Sequence, residues 1–244
     1  MKKIFILILT FMLIFLAGCS NDSQPQLFSY DVALRVPKGA AVSEYATLSK
    51  DSSPYYDEYS VKTESESDVI TLTVEGSYFK PFEVNLNPDV QSLDCRSMAE
   101  LSDGEEKKII NSAATYIIGL YYAAQKGEKE KPLDDYIYSQ LPLNTANKLE
   151  TYYNDISSMF CSFDPDGELI SYGIYDLMFN NYFGNVVRNE VGAYTANITL
   201  SYSYIFKEEN SKDKDVFDDI TLGVDMAYED GRWVVINLDN PLIQ

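Results

Sequence analysis

One segment of this chain, residues 194–206, has an apolar side chain at every second position, with polar side chains between them as far as residue 203. Every second position is apolar: Tyr194, Ala196, Ile198, Leu200, Tyr202, Tyr204 and Phe206. Successive side chains of a β-strand point to opposite faces of its sheet, so this alternation predicts a strand with one buried face. That face needs a covering layer, which constrains the architecture of the whole C-terminal part of the chain.

The preceding residues supply a helical layer. A helical period begins near residue 102, where Ser102 and Glu105 fit a capping box, and Gly127 is a natural stop. Its apolar stripe consists of Ile109, Ala113, Tyr116, Leu120 and Ala124. Two shorter helical segments follow before residue 164, and strands then resume, with one expected over 168–177. Helices followed by antiparallel strands predict an α+β domain over 102–244.

A small antiparallel β unit is predicted over residues 27–92, ahead of the helices. Residues 28–36 alternate in the same way as 194–206, and a loop rich in Ser, Pro, Tyr and Asp follows over 38–57. Three further strands are expected, over 58–64, 68–75 and 79–86. The unit is marginal in size for independent folding, so we expect it to pack on the domain that follows.

The N-terminus carries a leader pattern. Lys2 and Lys3 precede an apolar run over residues 4–16, in which Thr10 is the only polar residue. As a helix this run would be about 20 Å long, which is shorter than the bilayer's hydrocarbon core of about 30 Å. The pattern is typical of a signal peptide over residues 1–18 rather than of a membrane span.

The leader ends in Leu16-Ala17-Gly18-Cys19, which resembles the lipobox of bacterial lipoproteins. In that family the cysteine thiol receives a diacylglyceryl group, and a dedicated signal peptidase cuts before it. The resemblance implies that Cys19 is the lipidated first residue of the mature chain, followed by a polar tether over 19–26. It also implies that the lipid holds the protein on the extracytoplasmic face of a bacterial membrane.

Composition excludes several chemistries. The chain has no histidine, which removes Ser-His-Asp and Cys-His nucleophiles, and three cysteines cannot form a four-cysteine metal site. Its 38 acidic and 19 basic side chains give a net charge of −19, and loss of Lys2 and Lys3 with the leader leaves 17 basic side chains and a net charge of −21. We therefore expect no nucleic-acid partner, no cofactor and no metal.

Two cysteines lie beyond the lipobox, Cys95 and Cys161. An exported protein meets oxidising conditions, in which a disulfide between them can form. The bond would close a loop of about 65 residues and contribute roughly 4 kcal/mol in the chain-entropy model. The alternative is a pair of separate thiols buried in apolar surroundings, and the sequence leaves both open.

The order of helices and long strands over residues 102–240, with its final D-G-x-W hairpin, resembles the nuclear-transport-factor-like cone fold. Ketosteroid isomerases share that fold. The resemblance implies a cone-like sheet with helices on its concave face, where Tyr194, Tyr202 and Tyr204 would line a pocket. Asp218 falls on the apolar face of its own predicted strand, so we include it in the candidate pocket.

Two functions are compatible with these features. The first is a non-catalytic lipoprotein that serves as a binding or scaffold module for a protein, peptide or glycan, with a cationic partner favoured by charge. The second is a small-molecule enzyme that uses Asp/Tyr acid–base chemistry in the cone pocket. The chain has no residue-by-residue match to the isomerase catalytic set, so no catalytic residue is assigned. A filled cone favours the binding module, and a roomy pocket with tyrosines and one Asp favours the enzyme.

Overall fold

The computed structural model of the chain describes residues 25–49, 53–127, 134–171, 173–207 and 212–239. Within these residues the protein is an α+β structure with two α-helices and several sheets, most of whose pairings are antiparallel. The helices precede the sheet that has the longest strands. The predicted fold class, α+β, is confirmed. The predicted signal peptide, Cys19 and most of the predicted tether lie outside the described residues.

The N-terminal part contains seven strands: β1 Phe28–Pro37, β2 Ala41–Val42, β3 Ala46–Leu48, β4 Tyr56–Ser65, β5 Ile70–Glu75, β6 Phe82–Leu86 and β7 Ser92–Asp94. They form two sheets, in the orders β3-β4-β1-β7 and β2-β5-β6. All pairings are antiparallel except that of β1 with β7, which is parallel. The segment 38–57, predicted as a loop, contains β2 and β3, which are too short to show an alternating pattern.

Helix α1 spans Glu105–Gln125 and helix α2 spans Leu143–Phe160. The predicted capping box is wrong, because Gly104, with φ 83°, occupies the N-cap position and no side chain caps the helix. Glu105 is instead buried, and its carboxylate accepts a hydrogen bond from the indole N–H of Trp233. Two short 3₁₀ turns lie at Arg96–Met98 and Asp134–Tyr136. In the described part of the chain, neither helix combines the length and the apolar character that crossing a bilayer requires.

The C-terminal part begins with a small hairpin, β8 Cys161–Phe163 and β9 Leu169–Ser171, and continues as a four-stranded meander. The meander consists of β10 Ile174–Arg188, β11 Tyr194–Phe206, β12 Lys214–Glu229 and β13 Arg232–Leu238. The predicted strand over 194–206 is confirmed. The strand predicted over 168–177 is wrong, because β9 ends at Ser171 and β10 continues to Arg188. Much of β10 is an exposed edge, so its sequence does not alternate.

Helix α1 packs across one face of the meander, which we call the inner face, and α2 packs beside α1. The apolar positions of β11 point to this inner face, and its threonines and serines point to the outer face. At its β13 end the outer face is covered by the segment 136–141, where Tyr138 donates a backbone hydrogen bond to Val235. The buried side chains of the N-terminal sheets and of the inner face form one continuous cluster, as the small size of the β unit led us to expect.

Candidate functional site

The four residues of the predicted pocket lie at two separate places. Tyr202, Tyr204 and Asp218 lie together at one end of the meander, whereas Tyr194 lies at the opposite end of β11. Eight residues of extended strand separate Tyr194 from Tyr202, which is roughly 27 Å at about 3.4 Å per residue. The side chains therefore belong to two different clusters rather than to one pocket.

At the first place, Tyr202 and Asp218 are direct cross-strand neighbours. The Tyr202 hydroxyl donates to Asp218 Oδ2 at 3.3 Å, and the Tyr202 ring stacks on Tyr204 at 6.3 Å between centroids. Tyr202 is buried, but Asp218 is exposed at the end of the sheet. Both side chains are on the inner side of the sheet, but the carboxylate faces water at the rim and only the phenol is buried.

Aromatic side chains fill the inner face behind Tyr202. Tyr121 of α1 lies 5.6 Å from Tyr202 and 5.6 Å from Phe179 between ring centroids, and its phenol interacts with that of Tyr152 of α2. Burial is the largest cause that raises the pKa of Tyr121, Tyr152 and Tyr202 well above that of a free phenol. Asp218 raises the pKa of Tyr121 and Tyr202 further, whereas the hydrogen bond with Tyr121 lowers that of Tyr152. At neutral pH these groups can donate a hydrogen bond but cannot act as a base.

We expect alkaline pH to unfold the protein through these phenols. Because the folded pKa of Tyr121, Tyr152 and Tyr202 lies above the unfolded value of about 10, the folded state keeps protons that the unfolded state releases. Their contribution to stability is complete below about pH 10 and is lost as the pH rises further. The last part of the phenolate absorbance, that of the buried tyrosines, should therefore appear together with the loss of far-ultraviolet circular dichroism. Full ionisation of all 20 tyrosines with the circular dichroism unchanged would contradict this.

At the second place, Tyr194 belongs to the junction between the N-terminal sheets and the meander. Its ring packs edge-on against Trp233 at 5.5 Å and against Tyr78 at 6.3 Å. The guanidinium of Arg188 lies 4.7 Å from the centre of the Tyr194 ring and donates to the Tyr194 hydroxyl. Tyr194 is therefore part of an interface within the protein.

Arg188 holds this junction together through backbone groups as well. Its guanidinium donates to the carbonyl oxygen of Arg96, and to that of Ala99 at 2.6 Å. The sequence did not point to Arg188, because the strand that carries it was predicted to end at residue 177. One signal was present: Arg188 is one of only four arginines in a strongly acidic chain.

Two more of the four arginines lie close by, on the surface of the N-terminal sheets. Arg35 and Arg96 each place their guanidinium 5.0 Å from the centre of the Tyr56 ring. Arg96 also forms a short ion pair with Asp94 at 2.6 Å, and Arg35 pairs with Glu58 at 3.0 Å. These cations are already neutralised by protein carboxylates, so this cluster is an internal contact rather than an anion site.

Cys95 and Cys161 are free thiols, each buried against a different element. The backbone N–H of Cys95 donates to Arg35 of β1, whereas the Cys161 sulfur lies 3.6 Å from the carbonyl oxygen of Ala124 at the end of α1. Of the two alternatives, a disulfide or separate thiols, the structure has the second. Burial raises the pKa of Cys95 to about 11, with Asp94 adding to the effect, so the reactive thiolate is scarce at neutral pH.

The outer face of the meander has an open depression of about 530 Å³. Met178, Ser203 and Phe217 line it together with the two carboxylates of Asp176 and Asp215. Asp176 has φ 54° and belongs to a β-bulge that interrupts the pairing of β10 with β11. Bulges redirect side chains, and this one brings a carboxylate of the edge strand to the depression. Sequence reasoning missed this site because Met178 lies beyond the predicted end of its strand and the bulge at Asp176 was not predicted.

A metal centre is not evident in the described ranges, where no three Cys, Asp or Glu side chains are grouped closely enough to hold an ion. Comparisons of the chain with protein-family models, with curated proteins and with solved structures find no match. Any function assigned to this chain therefore depends on its own residues.

Proposed function

We propose that the protein is a lipoprotein, anchored on the extracytoplasmic face of a bacterial membrane, that serves as a non-catalytic binding or scaffold module. The partner would be a protein, a peptide or a glycan. The observation that carries the anchoring is the sequence Leu16-Ala17-Gly18-Cys19 directly after a charged and then apolar leader. The binding role is supported by two observations: tyrosines are buried on the inner face, and large apolar side chains are exposed on the outer face.

The anchor has a simple energetic basis. Each buried methylene contributes about 0.8 kcal/mol, and stable membrane attachment needs two acyl chains. A diacylglyceryl group on Cys19 supplies two. A mature body of net charge −21 would be repelled by anionic headgroups, so the lipid rather than electrostatics has to hold the protein at the membrane.

The packing of the inner face supports binding rather than catalysis. Tyr116, Tyr121 and Tyr152 are each at most 1% exposed, and together with aliphatic side chains of both helices they pack against the sheet. Phenols this deeply buried serve as core residues. Large apolar side chains that a partner could contact lie on the outer face, Met178, Phe183 and Phe217 among them.

The enzymatic alternative has one supporting contact, the hydrogen bond from Tyr202 to Asp218. In that pair the carboxylate is exposed to water. Burial raises the pKa of the phenol, so the phenol stays protonated at neutral pH and cannot act as a general base. We therefore favour the binding module.

The proposal is tested by comparing the full chain with Cys19→Ser in its native type of host, a bacterium with a lipoprotein export pathway. We expect the wild-type protein in the membrane fraction, accessible to protease added outside the cytoplasmic membrane, and the variant released from the membrane or retained with its leader. Crosslinking in intact cells should then enrich a partner with the anchored form. The conservative control is Cys95→Ser, which should fractionate like the wild type, whereas equal membrane attachment of Cys19→Ser would overturn the anchor.

A further inference from the structure

The outer face of the meander exposes large apolar side chains in one area. Phe217 is 76% exposed, Phe183 61% and Met178 57%. In the register of the sheet, Met178 and Phe217 flank Ser203 from its two sides, and Phe183 pairs with Thr199 two rows further along the same face. Three such residues grouped on one face form a patch of the kind that marks a protein interaction site.

The patch is bordered by negative charge. Asp215 pairs with Ile205 and Asp219 pairs with Ser201, so both carboxylates share the face of Ser203. Asp176 reaches the same depression from the bulge in β10. All three Asp residues are exposed.

The basic residues in and beside the described strands β10–β13 form no ion pair with these three Asp residues. Lys214 pairs with a helix-facing position of β11, Arg188 is held in the junction, and Arg232 lies at the tip of the β12–β13 hairpin. The other two lysines lie outside the strands, Lys207 directly after the end of β11 and Lys212 before the start of β12. The carboxylates beside the depression are therefore not paired with a cation of the neighbouring strand positions, and their charge is available to a partner.

The edge of β10 is unsuited to pairing with another strand. The backbone N–H of Tyr182 donates to Asn181 Oδ1 at 2.9 Å, and that of Val186 donates to Glu106 Oε1 at 3.3 Å. Two interruptions of the register add further irregularity. Bulges and occupied edge groups oppose strand addition, so a partner has to bind through side chains on the face.

We propose that this outer face binds a basic segment of a partner protein that also carries apolar side chains. A cationic side chain would lie in the depression between Asp176 and Asp215, and apolar neighbours would pack on Met178 and Phe217. A second copy of this chain fits poorly, because it would bring the same carboxylates and a net charge of −21 to the contact. The inference rests on the proposed function and specifies its binding surface and the chemistry of its partner.

The test uses the full lipidated protein in nanodiscs of neutral phosphatidylcholine and two fluorescent peptide probes of equal length. One probe alternates Lys and Val, and the other alternates Glu and Val. We expect the Lys/Val peptide to bind with an affinity that falls as salt is added, and the Glu/Val peptide not to bind. Phe217→Ser and Met178→Ser should each weaken binding about tenfold, the loss typical of a central contact residue.

Charge is tested separately with the double variant Asp176→Asn, Asp215→Asn. Asn tolerates the positive φ of position 176, so the bulge should be kept. We expect several-fold weaker binding and a flatter salt dependence. The matched controls are Leu48→Ser and Asp89→Asn, exposed positions in the N-terminal part, which should leave the affinity unchanged.

Two results would overturn the proposed surface. One is an unchanged affinity in the Phe217, Met178 and Asp variants. The other is a dimer in sedimentation velocity that Phe217→Ser dissociates, because a second copy would then occupy the face. Neither result bears on lipidation at Cys19, so failure of this surface and failure of the anchor are distinguishable.

Discussion

Glu105→Ala should lower the free energy of unfolding by about 3 kcal/mol. Glu105 is the first residue of α1 and is 5% exposed, and its Oε2 accepts a hydrogen bond from the indole N–H of Trp233 at 2.8 Å. Its other oxygen accepts from Lys108 Nζ at 2.5 Å. Alanine removes both contacts and leaves the buried indole without an acceptor, which costs more than the hydrogen bond itself stabilises.

Two variants separate this contact from general effects on the helix terminus. Glu105→Gln keeps an oxygen for Trp233 and should cost about 1 kcal/mol. Asp103→Ala removes an exposed carboxylate near the same helix end and should stay within about 0.5 kcal/mol of the wild type. Urea unfolding gives the free energy of unfolding of Glu105→Ala and of these two variants. It is followed by circular dichroism and by the fluorescence of Trp233, the single tryptophan of the chain. A loss below about 1 kcal/mol for Glu105→Ala would contradict the assigned role.

Arg188→Ala should cost a similar amount, about 3 kcal/mol, because the guanidinium bonds two backbone carbonyls and one phenol at the junction. The carbonyls of Arg96 and Ala99 would lose their donor, and Tyr194 would lose the cation that lies over its ring. The loss falls on the contact between the N-terminal sheets and the meander. We therefore expect their unfolding to become less cooperative.

The geometry of the guanidinium distinguishes this role from that of a simple positive charge. Arg188→Lys keeps the charge but not the planar fork, so we expect it to recover less than half of the lost stability. Arg232→Ala, at an exposed position of the same sheet, is the matched control and should be within about 0.5 kcal/mol of the wild type. Wild-type stability in Arg188→Lys would show that only the charge matters.

Much of the fold was accessible from the sequence because its buried faces are periodic. The alternation over 194–206 predicted β11 residue for residue, and the helical stripe predicted α1 apart from its first turn. Such patterns are direct consequences of one-sided burial. They also supported the prediction that the small β unit packs on the rest of the chain, which the continuous core bears out.

The candidate site was harder to predict, because it depends on residues that break these patterns. Strand β10 is an edge with exposed side chains on both faces, so its apolar residues carry no period and Met178 and Arg188 were overlooked. Glu105 was assigned to a capping box, yet its partner Trp233 is 128 residues away. Contacts between residues so far apart in the sequence depend on the tertiary packing and leave no local sequence signal.

The grouping of the tyrosines illustrates the same limit. Tyr194, Tyr202 and Tyr204 share one face of β11, as the period required, but a strand of this length connects two separate regions of the protein. Position on a common face does not place side chains in a common pocket. Which of them meet depends on the elements packed against each end of the strand, α1 beside Tyr202 and the N-terminal part beside Tyr194.

The proposed function depends most on the lipid at Cys19. Mass spectrometry of the N-terminal peptide from membrane-purified protein tests this lipidation most directly. We expect the leader of residues 1–18 to be absent and Cys19 to be the first residue, with a diacylglyceryl group in thioether linkage to its sulfur. A peptide that still begins at Met1, or one with an unmodified Cys19 thiol, would contradict the account.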